Sequence, residues 1–304
     1  MAGVTTGSRI RAAPAPSAPP AAGLRPARPG PACRTVVDSL QKGGIMRLTR
    51  LTAFTASLLL IGVSVSAQDR IPAEGGDVVI TPILHSSVQI EHGGTVVHID
   101  PWTAGDLSSA KPADLILVTD DPAHHLDPAA IAQLRKPGAP VILTAAAHAA
   151  FGDGEVLANG EKGVFAGVPV EAVPAYDMTP GQPWHPKGEA NGYVITLGGK
   201  RLFFSGVGEC VPEIQALEGI DVAFMPMNLP VDRMRPIPVA ECVKTFGPEL
   251  VYLIHYDNAT ARWFGNRELP RPNNVEQIAG TIQALRDALE GEPIEVRDGD
   301  WYPR

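Results

Sequence analysis

All eight histidines of this 304-residue chain lie after residue 84: His85, His92, His98, His124, His125, His148, His185 and His255. Four of them share one kind of setting. His124 and His125 lie in the loop DDPAHHLD, just after the apolar run Asp114–Thr119. His185 sits in the Pro/Gly-rich loop TPGQPWHPKGEANGYV, and His255 ends the apolar run Glu249–Ile254. Imidazoles carried on loops at strand ends can converge on one ion. A zinc site takes three or four N or O ligands at about 2.0–2.2 Å, and a catalytic zinc keeps one position open for water. A lone loop histidine more often makes a surface hydrogen bond, so the case for these four rests on their joint placement. Asp120 and Asp121 could orient the attacking water or take its proton; otherwise they cap the next helix or solvate the loop. His85 could hold a substrate oxygen or support a ligand from behind. His92 and His98 lie in strands near a turn and read as structural, as does His148 in AAAHAAF. Lys187, the basic residue close to His185, either meets a substrate anion or is simply solvated.

The elements that must position these groups alternate in type. Strands are predicted over 77–84, 87–91, 95–99, 114–119, 140–144, 168–174, 192–197, 201–205, 220–225, 249–254 and 293–296. Gly93-Gly94 and Gly198-Gly199 serve as hairpin turns. Helices are predicted over 128–135, where Asp127-Pro128 supplies the cap and first turn, and over 212–217 and 238–246. A further helix is capped by Asn274, with Val275, Ile278, Ile282, Leu285 and Leu289 on one face. Early and late strand groups with helices between them point to a two-sheet core with outer helices, not to a simple doubly wound sheet.

Composition narrows the function. The chain is 44% apolar with net charge −8, so wholesale disorder and a multi-span membrane protein are disfavoured, as is nucleic acid as a partner, since phosphate binding needs a basic face. Residues 1–45 form an Ala/Pro/Arg-rich leader or an upstream extension of the reading frame. Residues 46–67 carry the parts of a signal peptide: Met46, Arg47, Arg50, the uncharged stretch Leu51–Ala67, and small residues at the cleavage point. Cleavage after Ala67 leaves 68–304 as one domain, periplasmic or secreted, with no stable membrane span. Residues 1–67 carry eight Lys/Arg and one acid, Asp38, so the remaining chain stands at −15. An anionic substrate would need a local basic device against that field. Three cysteines, Cys33, Cys210 and Cys242, are too few for a disulfide scaffold. After export Cys210 and Cys242 could pair, although Cys210 taken alone reads as a buried structural cysteine. Neither a G-x-G-x-x-G fingerprint nor a G-x-S-x-G elbow is present.

From about Val78 to Tyr256 the chain resembles the metallo-β-lactamase superfamily, in its branch of ascorbate-phosphate lactonases. The segments that carry the resemblance are ILHSSVQIEHGG (83–94), HIDPW (98–102), DLILVTDDPAHHLDP (114–128), WHPKGEANGYVITLGGKRLFFSG (184–206), IDVAFMPMN (220–228) and LVYLIHYD (250–257). The implied fold is α+β, a four-layer αββα sandwich with a metal site at one edge. The family's ligand loop, Thr-His-x-His-x-Asp-His, reads here Thr119-Asp120-Asp121-Pro122-Ala123-His124-His125. Asp120 stands at the first histidine position and could ligate through its carboxylate; Pro122 stands at the second and cannot. His124 takes the aspartate position, and His125, His185 and His255 match retained histidines. The bridging aspartate falls on Val207, which cannot bridge two metals, and His85 matches a histidine near the site.

The resemblance therefore implies one zinc, with manganese as an alternative, on His124, His125 and His255, with Asp120 or His185 as a further ligand. The implied activity is metal-assisted hydrolysis of an ester, lactone or related bond in a small molecule. Two alternatives stand beside it: no functional metal, and a catalytically inactive binding protein of the cell envelope that keeps the fold.

Overall fold

The structure is a computed structural model that describes residues 68–181, 183–227 and 233–302. The leader and signal-peptide expectations fall outside these residues. The first seven-stranded sheet runs in chain order: β1 (Asp69–Ile71), β2 (Val78–Leu84), β3 (Ser87–His92), β4 (Thr95–Ile99), β5 (Leu115–Leu117), β6 (Val141–Leu143) and β7 (Glu155–Val156). Its β1–β4 half is antiparallel and its β4–β7 half is parallel. The second sheet repeats the plan: β8 (Lys162–Phe165), β9 (Val168–Ala175), β10 (Ala190–Leu197) and β11 (Lys200–Phe204) are antiparallel. The parallel half continues with β12 (Val222–Pro226), β13 (Leu250–Ile254) and β14 (Glu295–Arg297). Both hairpin turns fall at the glycine pairs, with positive φ at Gly93, Gly94, Gly198 and Gly199, the backbone a two-residue type I′ turn requires.

Side-chain alternation builds the layers. Leu115 and Leu117 of β5 join the central core shared with Val194, Leu202 and Phe224 of the other sheet. Ile116, between them, points the other way and packs with Val141 and Leu143 of β6, Ile131 of α1 (Pro128–Leu134) and Ala147 of α2 (Ala145–Phe151). On the outer side of the second sheet lie α4 (Pro236–Phe246) and α6 (Gln277–Ala288), which bury Val239, Val243 and Phe246, and Ile278, Ile282 and Leu285. The Phe246 ring meets Phe203 edge-on at 5.9 Å.

The sequence reading missed β1, β7, β8, α2 and α5 (Asn258–Gly265). α2 had a signal: Thr144 caps it through Ala147 N, and Gly152 ends it in the left-handed region. The expected Asn274 cap is a correction. α6 begins at Gln277 without a side-chain cap, and Asn274 instead binds Asp257 and Thr260 at the start of α5. Asp127 caps α1 as expected, through Ala129 N and Ala130 N, and its other oxygen holds Thr103.

Cys210 is not a free cysteine: it forms a disulfide with Cys242 across 32 residues, tying the loop before α3 (Pro212–Gln215) to α4. A loop of that length is worth about 2–4 kcal/mol in a folded domain. The Cys210→Ser/Cys242→Ser double variant is therefore expected to melt roughly 5–15 °C lower; an unchanged melting temperature would show that the bridge adds nothing.

His98, on β4, is buried and donates from Nε2 to Lys111 O at 2.9 Å. Burial pulls its pKa down to about 4. The unfolded chain thus binds more protons between that value and the ordinary 6.5. Stability is full above about pH 6.5 and declines as pH falls toward about 4, by about 3 kcal/mol from this group alone. Urea unfolding of His98→Gln should lose correspondingly less over that window; an identical pH slope would refute this source.

Candidate metal centre

The histidines gather where three strands end. His85 opens the turn between β2 and β3, His124 and His125 lie in the loop after β5, and His255 follows β13. Asp100 follows β4. Ligand sites in α/β sheets commonly form outside the carboxyl ends of strands. Six described non-glycine residues have positive φ, and three of them are here: His85 (62°), Asp100 (43°) and His255 (54°). Such backbone is costly for a residue with a Cβ, and it clusters at functional sites. His255 N donates to His85 O at 3.0 Å, which locks the two kinks, one from each sheet, to each other. In the loop, Pro122 O accepts from both His125 N and Leu126 N, so the residue lost as a ligand closes the turn that presents the histidine pair.

His85, His124 and His255 each place a ring nitrogen within 4.8 Å of the others'. His125 joins from the side, with Nε2 3.1 Å from His255 Nε2. With His255 Nε2–H donated across that contact, His255 Nδ1 keeps a bare lone pair. His85, His125 and His255 are buried and His124 is half-buried.

Each ring is oriented through a nitrogen. His125 Nδ1 meets Asp100 Oδ2 at 2.7 Å, and that carboxylate also accepts from Thr119 N and Thr119 Oγ1. His85 Nδ1 meets Tyr302 OH at 3.1 Å, and the same oxygen accepts from Tyr256 N. With Nδ1–H donated to Tyr302, His85 Nε2 keeps a bare lone pair. The Asn258 carboxamide meets His124 Nδ1 at 3.2 Å; with its oxygen turned there, His124 Nε2 is bare as well. Such outer partners fix tautomers in metal sites. Trp102 walls the cluster, its ring 5.8 Å from His85 and 6.1 Å from His124.

Burial holds His85 and His255 well below the usual imidazole range, and neighbouring imidazoles push further. His124 is lowered for the same reasons. All three are thus neutral, the form that ligates. For His125 burial also pulls downward, but the charge and hydrogen bond of Asp100 outweigh it and the pKa is raised. Burial lifts the Asp120 carboxyl, with His125 and His185 opposing.

Of the sequence candidates, the structure brings His124, His125 and His255 together. It adds His85 to the ligand cluster, a position the sequence had read as substrate-facing or supporting. His185 lies outside that cluster. Its Nε2 is 3.6 Å from Asp120 Oδ2, its Nδ1 is 3.4 Å from Asp177 Oδ1, and its backbone N–H donates to Asp177. Arg233, buried, pairs with both Asp177 and Glu209. Asp121 is exposed and donates its N–H to Asp120. Lys187 is taken by Glu213 at 2.5 Å. Sequence reasoning missed Asp100, Tyr302, Asn258 and Asp177; only Asp100 had a signal, an acid ending a strand next to Pro101 and Trp102. A recess of about 450 Å³ bordered by Arg135, Asp153 and Phe165 involves none of these residues.

A profile of the beta-lactamase superfamily domain matches residues 66–255. The chain belongs to the metallo-β-lactamase superfamily. The crystal structure of a Parabacteroides distasonis protein, provisionally described as a metal-dependent hydrolase, is 31% identical with a TM-score of 0.66, covering 76% of this chain and 97% of its own. A UPF0173 metal-dependent hydrolase of Symbiobacterium thermophilum is 25% identical over 72% of this chain and 96% of its own length. One from Thermus thermophilus is 27% identical over 57% and 81%. The two mixed sheets and flanking helices are the α+β architecture of the metallo-β-lactamase fold. Within this superfamily member, Val207 is buried in the apolar core. The neighbouring Gly206 leaves no room for a side chain, since a Cβ there would lie 2.5 Å from Asn191 O.

Proposed function

We propose that the protein is an exported hydrolase that cleaves an ester or lactone bond with one divalent ion held by His85, His124 and His255. The observation that carries this reading is the convergence of three neutral imidazoles in which His85 Nε2 and His255 Nδ1 are buried without a hydrogen-bond partner among the described residues. Orphaned buried nitrogens are uncommon and mark a site that awaits a ligand. An all-nitrogen donor set suits zinc better than magnesium or calcium. When bound, such an ion supplies a Lewis acid and makes water nucleophilic near neutral pH.

The chain's own groups do the rest. Asp100 and Thr119 hold the His125 ring against His255, and Tyr302 holds His85. Asp120 Oδ2, beside His185 Nε2, is placed to take a proton and pass it to the imidazole, which Asp177 orients. Export is supported by the leader pattern at 46–67 and by the Cys210–Cys242 bridge, since disulfides persist in oxidising compartments. The second reading, a non-catalytic envelope binding protein, draws on Pro122 and Val207, which remove two ligand positions.

The test is metal analysis of purified 68–304 after dialysis, followed by assay on ester and lactone panels. About one zinc per chain is expected, with hydrolysis lost to a chelator and restored by zinc or manganese. Folded protein that holds no metal and gains nothing from either ion would favour the second reading.

A further inference from the structure

A chain of buried charges runs from the disulfide to His185. Asp177 is its inner end. It accepts from the backbone N–H of Trp184 at 2.7 Å and of His185 at 2.9 Å, and its Oδ1 faces His185 Nδ1. Its own N–H donates to His185 O. Arg233 pairs with the same carboxylate and, through Nε at 3.1 Å, with Glu209. Glu209 in turn accepts from Thr179 N and Thr179 Oγ1, on the loop that carries His185. The Asp177 carboxylate is fully enclosed, and Arg233 and Glu209 are buried. Two enclosed carboxylates thus share one guanidinium, and without it they would repel each other.

Both ends of the Glu209–Arg233 pair are tied to the bridge. Glu209 immediately precedes Cys210, and Arg233 leads into α4, which carries Cys242. The ion pair between 209 and 233 and the disulfide between 210 and 242 therefore close the same stretch of chain, so the covalent closure lowers the entropy cost of the ionic one. The junction is strained: Met234, next to Arg233 and buried, holds φ at 48°. Such backbone persists only where its surroundings fix it. Cys242 is buried, whereas Cys210 is half-buried and is the accessible end of the bridge.

We propose that the Glu209–Arg233–Asp177 chain is a positioning device for His185 and that the Cys210–Cys242 bridge is its redox latch, opened by a dithiol reductant. One thiolate of the reductant attacks Cys210 Sγ, and the S–S bond breaks with its electron pair and a proton going to Cys242 Sγ. The second thiol then releases Cys210 as a free thiol, and the reductant closes to its own disulfide. His85, His124 and His255 are not part of the chain, so the metal ligands stay in place while His185 loses its fixed position beside Asp120. This is regulation of the hydrolase site and rests on that reading for its effect on rate alone.

The experiment is carbethoxylation with diethyl pyrocarbonate, read histidine by histidine by mass spectrometry. It compares oxidised protein, protein reduced with dithiothreitol and desalted without air, and the Cys210→Ser/Cys242→Ser, Arg233→Gln and Arg233→Lys variants. Intact mass confirms that the bridge is open. Reduction should raise His185 labelling about tenfold, as expected of a local opening, and leave His92 and the buried His98 unchanged. It should lower kcat about tenfold at constant KM, the scale of a displaced catalytic group, and reoxidation should restore both. The double serine variant should match the reduced protein without any reductant. Arg233→Gln should match it too, and Arg233→Lys should fall between. Equal His185 labelling in oxidised and reduced protein overturns the latch. So does a bridge that dithiothreitol leaves closed in the folded protein, or a matching rise at His98, which would report general loosening. Labelling needs no turnover, so an absence of hydrolysis sinks the hydrolase reading and leaves the latch to be judged by His185.

Discussion

His85→Ala is expected to strip the protein of its stoichiometric metal and of its hydrolytic activity, whereas His185→Ala keeps the metal. In the geometry His85 belongs to the group of three whose nitrogens lie within 4.8 Å, and His185 is instead held between Asp120 and Asp177. Removing one of three imidazoles leaves two, fewer than a catalytic zinc uses, so retention should weaken by more than about a thousandfold. His185→Ala should lower the rate by about a hundredfold or more with metal content intact, the usual scale for a lost proton-transfer group. Metal analysis of the two variants side by side decides the point. If His185→Ala lost the ion and His85→Ala kept it, the ligand set would be the one inferred from the family motif.

The second large effect belongs to Asp100. Its carboxylate is buried, it accepts from Thr119 twice, and it meets His125 Nδ1 at 2.7 Å. Asp100→Ala removes the charge that raises the His125 pKa and leaves that buried ring and the Thr119 donors without their acceptor. Breaking a buried charged pair from one side costs about 3–5 kcal/mol, or roughly 10 °C in the melting temperature of a domain this size. Asp100→Asn retains an acceptor for Thr119 and should recover part of that loss. Urea unfolding of the metal-free proteins measures both. A stability within error of wild type for Asp100→Ala would mean that the Asp100–His125 contact does not hold the site together.

Most of the sheet framework was legible because it rests on local signals: glycine pairs at both hairpins, and apolar runs such as Leu115–Leu117 and Leu250–Ile254. α5 was not, because its eight residues follow a His-Tyr-Asp strand end, and its cap, Asp257, looks in sequence like one more polar loop residue. The site was half legible. Spacing marks His124, His125 and His255 as strand-end imidazoles, but which rings share a centre depends on long-range packing. His85 reaches the cluster because its left-handed turn is clamped to His255 from the other sheet, a contact across 170 residues with no sequence trace. Tyr302 and Asn258 are ordinary polar residues in sequence, and only the closed fold gives them rings to orient. His185 shares the loop setting of the others in sequence and matches a family histidine, but Asp177, itself paired with Arg233, holds it beside Asp120 instead.

The most direct measurement is a crystal structure of zinc-loaded 68–304 with anomalous data at the zinc edge. One peak is expected, about 2.0–2.1 Å from a nitrogen of each of His85, His124 and His255. Two peaks about 3.5–4 Å apart, or a single peak bound by Asp120 and His185 without His85, would contradict the mononuclear three-histidine centre.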